Sequence, residues 1–518
     1  MSLTDLITSR FTFGPRFNDP QPLGAGNLNP WLAAQLAAPA ADDPAVLQRL
    51  AAIKMPISLM ASDGTTTSQT LPLTYLFKSA PDLWSNAQAD TTANKAWSRR
   101  PADEVVVARW LRAAFSSWQI QEVMVDFWHN HFSVDAYQSS VISAMWPAYD
   151  TVLRTNALGN FRSMLTATAQ SAVMMSYLNL NSSVASHPNE NYAREIMELH
   201  TLGIQRYLGE TAPANLESTG YSDTDVTNAA RVLTGWTIAD GHQKAADGTH
   251  PNTGAFLFNP SNHDFNAKTI FGQTYPAGIA EAEGLRLIDS LARHPGTAQT
   301  IATKLYVHFI QEVPAANDAL VQSLAGVFSQ HVDSPNQIAL VLQALIGSAE
   351  FAAAAGQKVK TPFEYLASLI RASGAEINPQ SGLTGMLSSM GAPMFHWPTP
   401  NGMPDVASAW TGTNDMICRW SSASRVTAES SGILLDGDGT VFAEVALAAK
   451  TVAEAVGAVA GAMLGSAPSA ATMAALSTFA GSTGVLGAHG IFGNPKALNA
   501  GLRALAGAVA ATPDFQLR

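Results

Sequence analysis

Apolar side chains recur every three or four residues along most of this chain, which is the spacing of amphipathic helices. Gly or Pro separates most of these runs, at positions such as Gly159, Pro295 and Pro335, and both residue types commonly end helices. The pattern therefore predicts a protein built mainly from helices. The clearest runs are residues 105–115, 120–132, 144–155, 161–169, 297–311, 318–330, 337–355, 362–372 and 441–464.

Strand patterns are few and short in this sequence. Residues 254–258 favour a strand, and so do residues 268–271, which are followed by Gly272. We therefore predict an all-α fold, a mostly α-helical globule, with a small β or loop insertion near residues 237–275.

The composition of the chain changes near residue 429. Residues 429–518 are richer in Ala, Gly and Val than the residues before them. We predict a main helical domain of residues 1–428, which carries the polar motifs, and a helical C-terminal segment of residues 429–518 packed on the same domain. The most apolar tract, residues 441–464, is interrupted by charged residues, so we expect a packed helix there rather than a membrane span.

Charged residues are scarce, at 13% of the 518 residues, against roughly 25% in a typical globular protein. The net charge is −11 and the basic residues are scattered, so nucleic acid is not an expected partner. The single cysteine, Cys418, excludes an intrachain disulfide and a zinc-finger spacing. The first residues lack the basic and apolar regions of a signal peptide. In a chain with so few charges, a dense polar cluster is a candidate for a functional site.

The densest polar cluster is the segment NENYAREIMELH at residues 189–200. Pro188 and Asn189 predict the start of a helix, and Gly203 predicts its end. The helix could be a solvated one whose charges at four-residue spacing contribute a few tenths of a kcal/mol, or it could be the wall of a site. The density of polar residues favours the second interpretation. Its polar face consists of Glu190, Asn191, Arg194, Glu195 and Glu198.

Two histidines lie close together in DFWHNHF at residues 126–132. An HxH pair on a strand can share a metal ion, but the apolar spacing here predicts a helix, in which His129 and His131 point in nearly opposite directions. His131 continues the buried stripe of that helix. It is therefore either a core histidine bonded to a carbonyl or carboxylate, or part of a site.

Two further polar segments follow. In YSDTDVTNAARVLTGW, Ser222 and Asp225 fit a capping box, which leaves Arg231 to pair with a carboxylate of the 189–200 helix. The segment NPSNHDFNAK follows the first predicted strand, and loops of this kind often carry functional residues. It contributes His263, Asp264 and Lys268.

These segments, in this order, resemble the bacterial family named domain of unknown function 1800 over nearly the whole chain. The resemblance implies an exported protein, periplasmic or secreted, with a sulfatase-like protein as a possible partner, and it implies no established activity. This chain departs from many relatives because it has no visible leader and has HWPTPNGMPD at residues 396–405. The matching motifs are RFTFGP at 10–15, DFWHNHF at 126–132, NENYAREIMELHTLG at 189–203, DV…AR.LTGW at 225–236, NHDFNAK with FG at 262–272, HPGTA at 294–298 and the final PDFQLR.

One hypothesis is a hydrolase-like enzyme acting on a carbohydrate or another extracellular substrate, because paired carboxylates suit glycosidic bonds. The expected catalytic residues are His131, Arg194, Glu195, Glu198, His200 and Arg231. The expected substrate-binding residues are Glu190, Asn191, Trp236, His263, Asp264 and Lys268. A metal-assisted form would bind zinc, manganese or iron, and haem with histidine ligation is a further form. The expected ligands of a divalent metal are His131, Glu198, His200 and Asp264.

The other hypothesis is a non-catalytic scaffold or partner protein. In that case the polar segments would form a salt-bridge network that fixes the register of the helices. Both hypotheses predict that the four segments share one neighbourhood. A cleft between them would favour the enzyme, and a closed, fully paired network would favour the scaffold.

Overall fold

Helices dominate the structure, and its sheets are small. The computed structural model describes the chain apart from residues 1, 18, 20–21, 25, 40, 61–64, 89–94, 211–219, 316–317, 381, 436–441, 443–445, 447–448, 450 and 484–494. Within the described residues, the sheets are three antiparallel pairs of strands. The prediction of a mostly helical protein with small β insertions is therefore confirmed.

The N-terminal part of the chain contains the first eleven helices and the first hairpin. The helices are α1 (Leu3–Arg10), α2 (Leu28–Leu36), α3 (Pro44–Ala52), α4 (Ala80–Gln88), α5 (Lys95–Phe115), α6 (Gln119–His131), α7 (Ser140–Asn156), α8 (Phe161–Ala169), α9 (Ala172–Tyr177), α10 (Glu190–Glu195) and α11 (Asp223–Val232). The strands are β1 (Lys54–Met60) and β2 (Thr66–Pro72).

The remaining elements follow α11. The strands are β3 (Trp236–Asp240), β4 (Asn252–Phe258), β5 (Lys268–Ile270) and β6 (Gln273–Tyr275). The helices are α12 (Ala282–Arg293), α13 (Pro295–Phe309), α14 (Ala319–Gln330), α15 (Gln337–Ile346), α16 (Ala349–Ala352), α17 (Pro362–Ser373), α18 (Leu383–Ser389), α19 (Thr413–Thr427), α20 (Val452–Leu464), α21 (Ala470–Thr483), α22 (Pro495–Ala510) and α23 (Pro513–Gln516).

The apolar spacing located most of the predicted helices. Helix α8 has the predicted bounds, and α6 and α13 differ from their predictions by one or two residues. The predicted helix 337–355 is instead divided into α15 and α16, because the side chain of Ser348 accepts a hydrogen bond from the Phe351 amide and caps a new helix. Part of the predicted helix 441–464 lies outside the described residues, and the described helix begins at Val452.

The predicted β insertion is present but does not contain every strand. Strands β4 and β5 match the predicted segments, and β3 pairs with β4 as part of the same insertion. The hairpin of β1 and β2 lies outside it, with a register from Lys54 opposite Pro72 to Met60 opposite Thr66. Strand β2 is polar and largely exposed, so it has no alternation of apolar residues by which a sequence pattern could identify it.

A single hydrophobic core joins residues from α1 to α23. Helix α17 is buried along its whole length. Helix α20 packs on α17, and α22 packs on α19, so residues after 429 share the core with those before. Among the described residues, no helix is long and apolar enough to cross a membrane.

Candidate functional site

A cavity of about 280 Å³ lies between α6, α13 and the loop of residues 392–405. Helix α6 contributes residues of the DFWHNHF motif, and α13 contributes Lys304 and His308 one helical turn apart. The lining is largely apolar with a few polar groups, which is typical of small-molecule sites. Its aromatic side chains are Phe127, Trp146, Phe363, Phe395, Trp397 and Trp410.

The 392–405 loop, which contains the HWPTPNGMPD segment, is fixed to α6 by Asn130. The Asn130 amide donates to the Met403 carbonyl at 2.9 Å and accepts from the Met403 amide at 2.6 Å. Gly402 has φ 74°, and a Cβ there would lie 2.3 Å from the Asn130 carbonyl oxygen. Only glycine allows this approach, so the motif asparagine and this glycine together position one wall of the cavity.

A histidine and a carboxylate form a pair at the cavity wall. His308 Nδ1 lies 2.8 Å from Asp405 Oδ2, and Lys358 donates to the other carboxylate oxygen. Burial alone would raise the pKa of Asp405, but the hydrogen bond from His308 and the charges of Lys358 and Arg518 hold it well below its usual range. An ionised Asp405 accepts the Nδ1 proton, which leaves the lone pair of His308 on Nε2.

A second histidine of the wall belongs to a buried ion network. His129 Nε2 lies 3.0 Å from Asp150 Oδ1, and Arg112 bonds the other oxygen of Asp150 at 2.9 Å. Burial lowers the pKa of His129 in spite of Asp150. Burial would raise the pKa of Asp150, but Arg112, His129 and Arg154 hold it below its usual range. The His129 ring is therefore fixed by its neighbours.

Four buried nitrogens of the lining side chains have no hydrogen-bond partner among the described residues. Unpaired buried polar atoms are rare in native proteins. They belong to side chains that line the cavity, and they are a hydrogen-bonding capacity that the protein leaves unused, because an indole N–H donates and a neutral imidazole nitrogen accepts. They are His129 Nδ1, Trp146 Nε1, His308 Nε2 and Trp397 Nε1.

His131 is bonded through both ring nitrogens. Its Nε2 donates to the His200 carbonyl at 3.1 Å, and its Nδ1 accepts from Lys304 Nζ at 2.9 Å. Burial, then the charge of Lys304, lowers the pKa of His131 well below its usual value, and burial lowers the pKa of His200 to about 3. His131 is thus the core histidine that one interpretation of the sequence described, although it also lines the cavity.

The 189–200 segment forms α10 and then a π-helical turn, Ile196–His200. Its polar face does not reach the cavity. The Arg194 side chain is 34% exposed and bonds Glu198 at 3.3 Å and Asp223 at 3.0 Å. Burial, then the charge of Glu198, raises the pKa of Glu195. The face is therefore a partly solvated ladder of ion pairs that joins α10 to the start of α11.

The polar neighbours of the ladder are also paired. Glu190 accepts from the Thr227 hydroxyl at 2.7 Å. The Asn191 amide lies 3.4 Å from the Leu178 carbonyl. Both residues thus join α10 to neighbouring segments.

The third and fourth segments bond each other. The capping box of Ser222 and Asp225 is present as predicted. Arg231, which was expected to pair with a carboxylate of the 189–200 helix, instead bonds Asp264 at 2.7 Å, because it lies on the side of α11 that contacts the loop before β5. Burial would raise the pKa of Asp264, but Arg231 and Asn266 lower it to about 2.

His263 and Lys268 of the fourth segment are buried. His263 lies between the Thr234 carbonyl and Glu283 Oε1, at 2.7 and 2.6 Å. Lys268 also bonds Glu283, at 2.8 Å, and Trp236 is fully buried. His263 and Lys268 thus share Glu283 as a partner, and none of these three predicted residues lines the cavity.

Each of the four segments contacts the next one along the chain, and the four do not surround a single cleft. Contacts run from His131 to His200, from Arg194 to Asp223 and from Arg231 to Asp264. Of the catalytic and substrate-binding residues predicted from the sequence, His131 alone lines the cavity. The four segments thus neighbour one another through pairwise contacts, and only the His131 segment lines the cavity described above.

The expected metal site does not form among the described residues. They contain no group of three or more His, Cys, Asp or Glu side chains that could hold a metal ion. Both nitrogens of His131 are engaged, and Glu198 and Asp264 are each bonded to an arginine. The rings of His131 and His200 lie 6.2 Å apart, but Glu198 and Asp264 are held by Arg194 and Arg231 and do not complete a ligand set with them.

The sequence analysis singled out DFWHNHF, which lines the cavity, but it did not predict Lys304, His308 or Asp405 as site residues. His308 and Lys304 stand singly among apolar residues of α13, and Asp405 stands in a loop rich in Pro and Gly. The one available signal was HWPTPNGMPD, in which Trp, His and Asp occur together. Density of polar residues along the chain was a poor guide to this site.

A family model described as "Protein of unknown function (DUF1800)" matches residues 6–517. No curated protein and no solved structure gives a match. The match covers nearly the whole chain and confirms the resemblance that the motifs indicated.

Proposed function

We propose that this chain, which belongs to the DUF1800 family, is a hydrolase-type enzyme whose substrate binds in the cavity between α6, α13 and the 392–405 loop. The pair of His308 and Asp405 at the cavity wall carries this proposal. A histidine held by an ionised carboxylate, with its other nitrogen unpaired beside an apolar cavity, is arranged as a general base.

The proposed reaction depends on which ring nitrogen of His308 carries the proton. Asp405 holds the Nδ1 proton of His308, so Nε2 can take a proton from a water molecule that attacks the substrate. The resulting imidazolium is stabilised by the Asp405 carboxylate 2.8 Å away, and it returns the proton to the leaving oxygen. General base catalysis of this kind contributes roughly a hundredfold to ten-thousandfold.

The cavity favours an uncharged substrate with hydroxyl groups and an apolar face. Trp146 and Trp397 each present an unpaired N–H, and His129 presents an unpaired ring nitrogen. Sugar hydroxyls can both accept and donate such bonds, and aromatic walls suit the flat face of a ring. Carbohydrates and their esters are the substrate class that we propose.

A paired-carboxylate mechanism is less well supported. Glu195 and Glu198 lie outside the cavity. The carboxylates that line it, Asp126 and Asp405, are bonded to Arg109 and Lys358. The lowered pKa of Asp405 keeps it ionised, so it does not act as the proton donor of such a pair, and histidine chemistry fits the site better.

Hydrolysis of acetylated sugars and chromogenic esters, together with thermal shifts in a panel of glycans, tests the proposal. We expect His308→Asn to lower turnover at least about a hundredfold while the protein stays folded. His331→Asn is the matched control, because His331 is remote from the cavity lining. A folded His308→Asn protein with the rate of the wild type would refute the proposal.

A non-catalytic scaffold is the second candidate. It is supported by the pairing of Arg194 with Asp223, of Arg231 with Asp264 and of Lys268 with Glu283, since such networks can fix how helices dock. If no glycan or ester raises the melting temperature or is hydrolysed, the scaffold is the better account. Export and a sulfatase-like partner remain predictions from the family resemblance.

A further inference from the structure

Lys304, which lines the cavity, differs from the buried lysines Lys358 and Lys268. Its amine bonds the ring of His131 at 2.9 Å and the Leu199 carbonyl at 3.2 Å, and neither partner is an acid. Lys358 bonds Asp405 and Lys268 bonds Glu283. Lys304 is therefore a cavity-wall lysine whose amine has no carboxylate among these partners, and the proposed hydrolysis does not use it.

Burial without an acid changes the chemistry of the amine. It lowers the pKa of Lys304 to about 8, because the charged form loses water and gains no opposite charge. Near neutral pH a substantial fraction of the amine is therefore uncharged and nucleophilic. The bonds to His131 and Leu199 also hold the amine in one place.

We infer that Lys304 forms a Schiff base with aldehydes or ketones that enter the cavity. The Nζ lone pair forms a bond to the carbonyl carbon, and the carbonyl π electrons move to oxygen. Transfer of one amine proton to that oxygen gives the carbinolamine. Loss of the second amine proton and of the hydroxyl group as water then leaves a C=N bond, so the step needs no oxidant, reductant or further reactant.

His308 is placed to assist this step. Lys304 and His308 are four residues apart on α13, and both line the cavity, so their side chains share one face of the helix. A carbonyl compound joined to Lys304 would lie beside His308, whose Nε2 can take up the second amine proton and return it to the departing hydroxyl group, which leaves as water. The inference is independent of the proposed hydrolysis, since trapping can succeed whether or not any ester is cleaved.

Reductive trapping on the full-length protein tests the inference. The protein is incubated with benzaldehyde and cyanoborohydride at pH 8, and modified lysines are located by peptide mass spectrometry. At that pH about half of the Lys304 amines are uncharged, against under about 1% for an exposed lysine. We expect Lys304 to be modified on the order of tenfold faster than exposed lysines.

Lys360 is the internal control. Its pKa is lowered to about 7, chiefly by burial, but it does not line the cavity. Modification of Lys304 and not of Lys360 would show that access through the cavity matters as well as the pKa. If Lys304 reacts no faster than exposed lysines, or if Lys360 reacts equally fast, the inference is wrong.

Lys304→Arg provides the matched variant. Arginine keeps a cation and donors for His131 and Leu199 but does not form the imine, so fast labelling should disappear while the melting temperature stays near that of the wild type. Fast labelling of a different residue in this variant would overturn the assignment. Should the variant fail to fold, the comparison of Lys304 with Lys360 in the wild type still decides.

Discussion

Replacing Asp405 by Asn perturbs the pair on which the proposed function depends. The Asp405 carboxylate accepts from His308 on one oxygen and from Lys358 on the other. Asparagine has the same shape as aspartate, but an NH₂ group replaces one of the two carboxylate oxygens. Either His308 or Lys358 would then face a second hydrogen-bond donor. The Lys358 side chain is 1% exposed, so water cannot replace the lost partner.

The expected cost follows from this burial. Removing one member of a buried ion pair typically costs about 3 to 5 kcal/mol. Lys358 retains a bond to the Asp405 backbone carbonyl at 3.0 Å, and the Asp405 side chain is 21% exposed. We therefore expect a loss near the lower value, about 3 kcal/mol.

The loss should depend on pH. Burial already lowers the pKa of Lys358 in spite of Asp405, and removal of Asp405 would lower it further. At alkaline pH the variant can then hold Lys358 as a neutral amine. The difference in stability between the variant and the wild type should be larger at pH 6 than at pH 9.

Denaturant unfolding followed by circular dichroism at the two pH values measures this difference. Asp289→Asn is the control, because Asp289 pairs with Arg162 and Arg293 on the surface with 40% of its side chain exposed. The control should cost less than about 1 kcal/mol. The reasoning fails if Asp405→Asn costs no more than Asp289→Asn, or if its cost is the same at both pH values.

Three further variants test other parts of the structure. Arg194→Ala should cost at most about 1 kcal/mol in the free energy of unfolding, because the ladder is partly solvated; a loss of several kcal/mol would show that it is buried in solution. Gly402→Ala should lower the melting temperature and weaken ligand binding, because the added Cβ would meet the Asn130 carbonyl; unchanged binding and melting would contradict the role of this loop. Asp264→Asn should be less stable than the wild type at pH 6, and the difference should vanish as the pH falls. The pKa of Asp264 is lowered to about 2, so its contribution is complete above about pH 4 and is lost toward pH 2; a difference that persists at pH 2 would contradict this.

The sequence by itself determined the class of the fold and much of its local structure. Helix α8, the capping box at Ser222 and the end of the 189–200 helix just before Gly203 depend on residues three or four positions apart, so a pattern along the chain contains the necessary information. The two histidines of DFWHNHF also point to different partners, as helical geometry requires. Family membership was evident for the same reason, since motifs are local.

Only the tertiary structure decided which polar residues share a site. His308 and Asp405 are 97 residues apart, and neither stands in a dense polar cluster. The cluster that does stand out, on α10, is largely explained by ion pairs to α11 and by partial exposure to water. A dense run of charged residues in the sequence shows only that those side chains can be exposed to water or form ion pairs. A cavity instead forms where segments that are distant in the sequence pack together and leave a few polar atoms unpaired among apolar side chains. Which segments meet in this way depends on tertiary packing.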